Sequence, residues 1–198
     1  MIVQTSCFSL DKGSVCIDKN ELSRRLCVSR QFDTGCFDSC IEKAIQAAFP
    51  KCCYIRVPVT HKEKPTVLLG EIAIDSADLY KNLGGCSEAF VFAVTLGYSA
   101  DRLLSRLSLL SGAEHFICDA ALSALAESAC DVSEQRIKGE LCCKARFSPG
   151  YGDLELCVQK DILSYLNAER LLGITISDTL LMSPQKTITA IMGISGGK

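Results

Sequence analysis

The chain has 198 residues, of which 48% are hydrophobic and 22% charged, with a formal net charge of −2. That length suits one domain spanning 1–198, and the composition supports a packed core and excludes a disordered segment. With no basic excess, a nucleic-acid-binding face is excluded as well, because phosphate recognition needs clustered Lys and Arg.

In chain order, the start MIVQTSCFSLDKGS has neither a basic n-region nor a continuous apolar h-region, so no targeting segment is expected. Asp18 is placed to cap a helix carrying Leu22, Leu26 and Val28, with Glu21 completing a capping box. A second helix is predicted over Phe37 to Phe49, with Phe37, Ile41, Ala44, Ile45 and Ala48 on one face and Pro50 as its stop. Cys53 to Val59 alternates as a strand, in which Pro58 marks an edge or an end. Thr66 to Leu69 and Glu71 to Ile74 read as two strands, or as one interrupted at Gly70. Ser76 caps a short helix over Leu79 and Leu83 that Gly84-Gly85 ends.

The run Ala89 to Leu96 reads as a strand buried on both faces. It is far shorter than the ~20 residues that cross a bilayer, so no membrane association is expected and the compartment is read as cytoplasmic. Ser99 is expected to cap a helix bearing Leu103, Leu104, Leu107 and Leu110, and Gly112 separates it from a longer helix through Cys130. A strand is predicted from Gly139 to Phe147, then a loop over Ser148 to Asp153 and a helix from Leu154 to Leu171 stopped by Gly173. Ile174 to Ile176 and Thr187 to Met192 close the chain as strands. Helices cluster instead of alternating with strands. The expected class is therefore α+β, a largely antiparallel twisted sheet flanked by clustered helices, with a helical part at 1–50 and an α+β core at 51–198.

Thirteen cysteines are the most unusual count. The pairs Cys36/Cys40, Cys52-Cys53 and Cys142-Cys143 give no CxxC, and zinc or iron–sulfur sites usually show two tight pairs. Free thiols in a reducing compartment are the main reading, and a cysteine-based metal or iron–sulfur protein the lesser one. His115 and Asp119 lie one helical turn apart as a possible metal pair, although a satisfied helix histidine is the simpler reading. His61 falls in a polar turn and is read as exposed. Gly193 to Lys198 has only a superficial likeness to a phosphate loop, since no helix follows it.

The segment Arg146-Phe147-Ser148-Pro149-Gly150-Tyr151 stands apart. An arginine at a strand end offers a planar fork to a carboxylate. Pro149-Gly150 makes a tight turn, and Gly150 lets a ligand approach backbone amides. Tyr151 adds an aromatic face and a hydroxyl. On these grounds alone, an ordinary strand-to-helix turn and a cradle for a ligand with one carboxylate and one flat ring both stay open.

This segment resembles the arginine-containing Pro-Gly-Tyr signature of the activation domain of cobalamin-dependent methionine synthase. The likeness extends downstream, in order, through Leu172-Gly173-Ile174, Thr175 to Asp178, Met182-Ser183-Pro184 and Thr187 to Ala190. Upstream it includes Phe92 to Gly97, and Asp119 with Leu125-Ala126-Glu127. It covers Ala89 to Met192, about half of the chain. Gly152-Asp153-Leu154 follows the signature where the family has a Pro-Ala-Cys-Pro stretch, Ser123 stands where the family has a helix glutamate, and the family's Tyr-Ile-Asp-Trp motif has no counterpart. The resemblance implies an activation-domain fold and binding of S-adenosylmethionine (AdoMet) by Arg146, Ser148, Pro149, Gly150 and Tyr151, with Glu140 as the nearby acidic residue. It also implies a component of a methyltransferase, acting only with a partner that carries cobalamin. That partner would be a methionine synthase subunit or a related corrinoid protein, reactivated by reductive methylation with electrons from a flavodoxin-type donor. A related module that binds no AdoMet and contributes only an interface is the alternative.

Overall fold

The computed structural model describes residues 4–18, 22, 26 and 34–195. Six strands form one antiparallel sheet in the order β4 (Ile72–Asp75), β3 (Thr66–Leu69), β2 (Lys51–His61), β5 (Cys86–Thr95) and β8 (Thr187–Ser195), with β1 (Ser6–Ser9) also on β2. β1 pairs with Lys51 to Tyr54, β3 with Val59 to His61, and β5 with Lys51 to Pro58. A two-stranded ribbon of β6 (Thr175–Ile176) and β7 (Met182–Ser183) stands apart.

The expected class holds: an antiparallel sheet with helices on it. The continuous apolar run of β5 has the physical meaning expected of it. Phe90, Phe92 and Val94 enter one core while Ala89, Val91 and Ala93 enter the other, because successive side chains leave opposite faces. The first face is covered by α1 (Thr34–Ala47), α3 (Tyr98–Leu110) and α4 (Gly112–Lys138). The second is covered by α2 (Ala77–Asn82), α5 (Val158–Tyr165) and α6 (Ala168–Leu172).

Local chemistry explains several boundaries. Gly70 sits at φ +59° in the tight β3–β4 connection, so these are two strands. Ser76 caps α2 as expected, its hydroxyl accepting from Leu79 N at 3.0 Å. Pro58 does not end β2. Its carbonyl accepts from Gly70 N at 2.9 Å, so its nitrogen points the same way, to the β3 side and away from β5, and the missing N–H takes no bond from the β2–β5 ladder.

Other expectations are corrected. The part at 1–50 is not wholly helical: β1 belongs to the sheet. Ser99 is not a cap, because α3 begins at Tyr98 behind Gly97 and the Ser99 hydroxyl instead accepts from Arg102. α4 runs eight residues past Cys130 because Ser133 and Ile137 continue its buried face. The helix predicted from Leu154 to Leu171 is two helices, broken at Asn167 with φ 54°. No regular strand spans Gly139 to Phe147; the segment touches β8 through bridges at Cys143 and Phe147. Asp18 O accepts from Leu22 N, and Leu22 O from Leu26 N, as helical bonds. Glu21, Arg24, Arg25, Cys27 and Val28 lie outside the described residues.

Candidate functional site

Arg146 leaves the segment beside β8 toward α4, whose acidic residues Glu127, Asp131 and Glu134 fall on one helical stripe. Its Nη1 donates to Asp131 at 2.5 Å and to Glu134 at 3.1 Å, and its Nη2 donates to Glu127 at 3.1 Å. The Arg146 side chain is 24% exposed and that of Glu134 17%, so the centre of this cluster is sheltered while its Glu127 and Asp131 rim is wet. Burial pulls the Arg146 pKa down, but the hydrogen bonds to Asp131 and Glu134 outweigh it and leave the guanidinium more firmly protonated than usual. Among the described residues Nε–H has no hydrogen-bond partner, which leaves a donor for another acceptor. Three carboxylates against the Arg146 guanidinium and the Lys138 ammonium, which lies 3.7 Å from Glu134, leave a patch with a small negative excess.

A cleft of about 480 Å³ lies against this patch. Cys16, Asp18 and Leu22 line it on one side, and Ala124, Glu127, Ser128 and Asp131 on the other. The Cys16 amide donates to Ser128 Oγ at 3.1 Å and holds the N-terminal segment to α4.

The turn beyond Arg146 faces elsewhere. Ser148 is buried, and its carbonyl accepts from Tyr151 N at 3.0 Å. Pro149 is also buried. Gly150 has φ +92° and donates to Leu154 O at 2.8 Å. Tyr151 is half exposed and meets the Phe147 ring edge-on at 6.1 Å. None of these four residues lines the cleft. Glu140 is exposed on the turn after α4 and is not among the partners of Arg146. The structure therefore joins Arg146 to the turn through the chain, but it places the guanidinium with α4 and Tyr151 at the surface beside Phe147.

The far end of the turn is anchored on the other face of the sheet. Asp153 accepts from Ala77 N at 2.8 Å, from Asp78 N at 3.1 Å and from the Ser76 hydroxyl at 2.5 Å. Asp78 accepts in return from Asp153 N at 3.3 Å. The hydrogen bond from Ser76 and those from the α2 amides hold the Asp153 carboxyl below the usual carboxylate range. Gly152, at φ +54°, is required here, because a Cβ would collide with the Asp78 carboxylate.

Sequence reasoning named Glu127 only as part of the resemblance and not as a partner of Arg146, and it missed Asp131, Glu134 and the role of Asp153. The signal for the α4 carboxylates was present, as acidic residues at i, i+4 and i+7 of a long helix upstream of a lone strand-end arginine. For Asp153 the signal was a carboxylate in the departure Gly152-Asp153-Leu154. Ser123, where a glutamate was expected, receives Lys186 Nζ at 2.9 Å, and Lys186 also reaches Asp119 at 2.8 Å. Asp119 thus serves Lys186. His61 is not a fully exposed turn residue. It ends β2, packs edge-on against Tyr80 at 4.8 Å, and buries Nε2. Gly193 belongs to β8, where a Cβ would crowd Cys86 and Leu83, so this glycine serves packing. Among the described residues, no group of three or more His, Cys, Asp and Glu is arranged to hold a metal ion. No helix among them is long and apolar enough to cross a membrane.

No protein-family model matches the chain, and no curated protein matches it in sequence. By fold it is similar to a crystal structure of the MetH reactivation domain bound to AdoHcy, with a TM-score of 0.73 and 12% sequence identity. The likeness covers 99% of this chain and 80% of that one. The chain therefore has the fold of a MetH reactivation domain.

Proposed function

We propose that this chain binds AdoMet at the Arg146–Tyr151 segment and acts as a reactivation module for a separate cobalamin-bearing partner. The observation that carries this reading is the fold likeness over 99% of the chain to a domain solved with AdoHcy, the demethylated form of AdoMet. The residues present are compatible with such a ligand. The Nε edge of Arg146 can take a carboxylate and the exposed ring of Tyr151 a flat base, while the Gly150 and Tyr151 amides are engaged within the turn by Leu154 O and Ser148 O. AdoMet carries an ammonium and a sulfonium against one carboxylate, and the net negative patch of Glu127, Asp131 and Glu134 favours such a cation.

Bound AdoMet supplies an electrophilic methyl group. The chain's own work is to hold and orient it and to keep that methyl open toward a partner. The cobalamin-bearing subunit and a flavodoxin-type electron donor belong to the proposal through the fold family alone. A second reading, an interface module that binds no AdoMet, is favoured by Arg146 already being engaged by three carboxylates.

Titration calorimetry separates the two. Saturable AdoMet binding is expected, weakened by ~10–100-fold in Arg146→Ala for the loss of a hydrogen bond to a charged group worth ~1.5–3 kcal/mol. AdoHcy, lacking the sulfonium charge, is expected to bind more weakly than AdoMet. No heat at millimolar AdoMet overturns the first reading.

A further inference from the structure

The β1–β2 register places two cysteines directly opposite each other, Cys7 against Cys53. Leu10 N donates to Pro50 O at 3.0 Å, which makes 10 and 50 a hydrogen-bonded pair of the same register. Antiparallel pairs alternate, so Phe8 and Cys52 are hydrogen-bonded, and Cys7 and Cys53 are not. The opposite side of the sheet gives the same parity. Leu96 N donates to Lys186 O, and the 147 and 191 backbones exchange both bonds. Counting inward through β8 and β5, the Cys53 backbone groups face Ala93 of β5, leaving none aimed at Cys7.

Non-hydrogen-bonded pairs bring Cα atoms to ~4.5 Å with both side chains on one face. That separation lies within the range a disulfide spans, at its short end. Cys7 is exposed and Cys53 is buried. The fully buried thiols of Cys40 and Cys118 lack such an exposed entry point.

We propose that Cys7 and Cys53 form a reversible cross-strand disulfide, a redox modification site at the sheet edge whose oxidant is a low-molecular-weight disulfide such as oxidised glutathione. The Cys7 thiolate attacks one glutathione sulfur. The glutathione S–S bond breaks, and one glutathione leaves as a thiolate that takes up a proton. Cys53, giving its proton to solvent, then attacks the Cys7 sulfur of the mixed disulfide and expels the second glutathione. Two protein thiols are oxidised and one glutathione disulfide is reduced to two thiols. The exposure of Cys7 leaves the bond open to attack by a reducing thiol, which makes it reversible. Burial pushes the Cys53 thiol up to about 12, so the second step is the slow one. The tie fixes β1, and β1 leads into the segment whose Cys16 amide leans on Ser128 at the cleft.

The test is oxidation of the full chain with oxidised glutathione, alkylation of the remaining thiols, and peptide mass mapping. The expected product is a Cys7–Cys53 linked peptide that is absent in Cys7→Ser and is lost on adding dithiothreitol. Its closure rate should rise about tenfold per pH unit between about pH 7 and 9, as the Cys53 thiolate fraction grows. In Cys53→Ala, glutathione should persist on Cys7. A wild-type map with glutathione persisting on Cys7 while Cys53 stays free, or with Cys7 joined to a different cysteine, overturns the proposal.

Discussion

Arg146 and Asp153 flank the same turn and tie it to helices on opposite faces of the sheet, yet they do so by different physics. Arg146 is the one cation that reaches all three α4 carboxylates, with Lys138 also pairing with Glu134 at 3.7 Å, and the cluster is sheltered at Glu134 and wet at Glu127 and Asp131. Asp153 is an anion at the α2 N-terminus, met by two backbone amides and a hydroxyl. The first tie is over-supplied with acceptors, so one can be exchanged for a ligand carboxylate. The second matches one carboxylate to a fixed set of donors and has no spare member. A turn built this way can alter its contacts at Arg146 while keeping its position at Asp153.

The largest effect is expected at Arg146. Arg146→Ala leaves Glu127 and Asp131 without their cation and Glu134 with Lys138 alone, and stability should fall by ~2–3 kcal/mol in urea unfolding, below the ~3–5 kcal/mol of a fully buried broken pair because two partners are exposed. Glu127→Gln in the same assay should be close to neutral, because the patch already has an excess of acceptors.

Asp153→Asn should give a smaller loss, seen as a lowered Tm at neutral pH. The sign of its pH dependence follows from the depressed folded pKa. The charged carboxylate stabilises the fold above the unfolded pKa, and that contribution disappears as pH falls through the folded value. The gap between wild type and Asp153→Asn should therefore be constant near neutrality and close below about pH 4. A gap that is insensitive to acid would mean that the cap is not ionic.

Tyr151→Phe should change stability least, by under ~0.5 kcal/mol, since the ring is half exposed and its hydroxyl makes no described contact. Its effect on AdoMet affinity, measured beside Arg146→Ala, tells whether the turn and the guanidinium serve one ligand.

The fold was readable wherever one local rule dominated. Alternation and continuous burial gave β5, a glycine gave the β3–β4 turn, and Ser76 gave the α2 cap. It was unreadable where pairing across the sheet overrode local pattern. β1 is four residues whose strand character exists only against β2. Pro58 is harmless because of which edge its nitrogen faces, something the chain alone does not reveal. Asn167 breaks a periodic helix by adopting a left-handed conformation that no neighbouring glycine signals. At the candidate site, the Arg146–Tyr151 segment was legible as a motif. Its partners were not, because Arg146 and the α4 stripe are 12 to 19 residues apart along the chain and meet only through the fold.

The irregular run from Cys142 to Phe147 has one more consequence. It takes up backbone groups of β8 at Ile191, Gly193 and Ser195 without becoming a strand that could itself be extended. The sheet is thereby closed to lateral growth at that margin, and a chain with so apolar a centre is insulated there from strand-on-strand polymerisation. Any protein that meets this margin must bind through side chains, because no continuous peptide ladder is on offer.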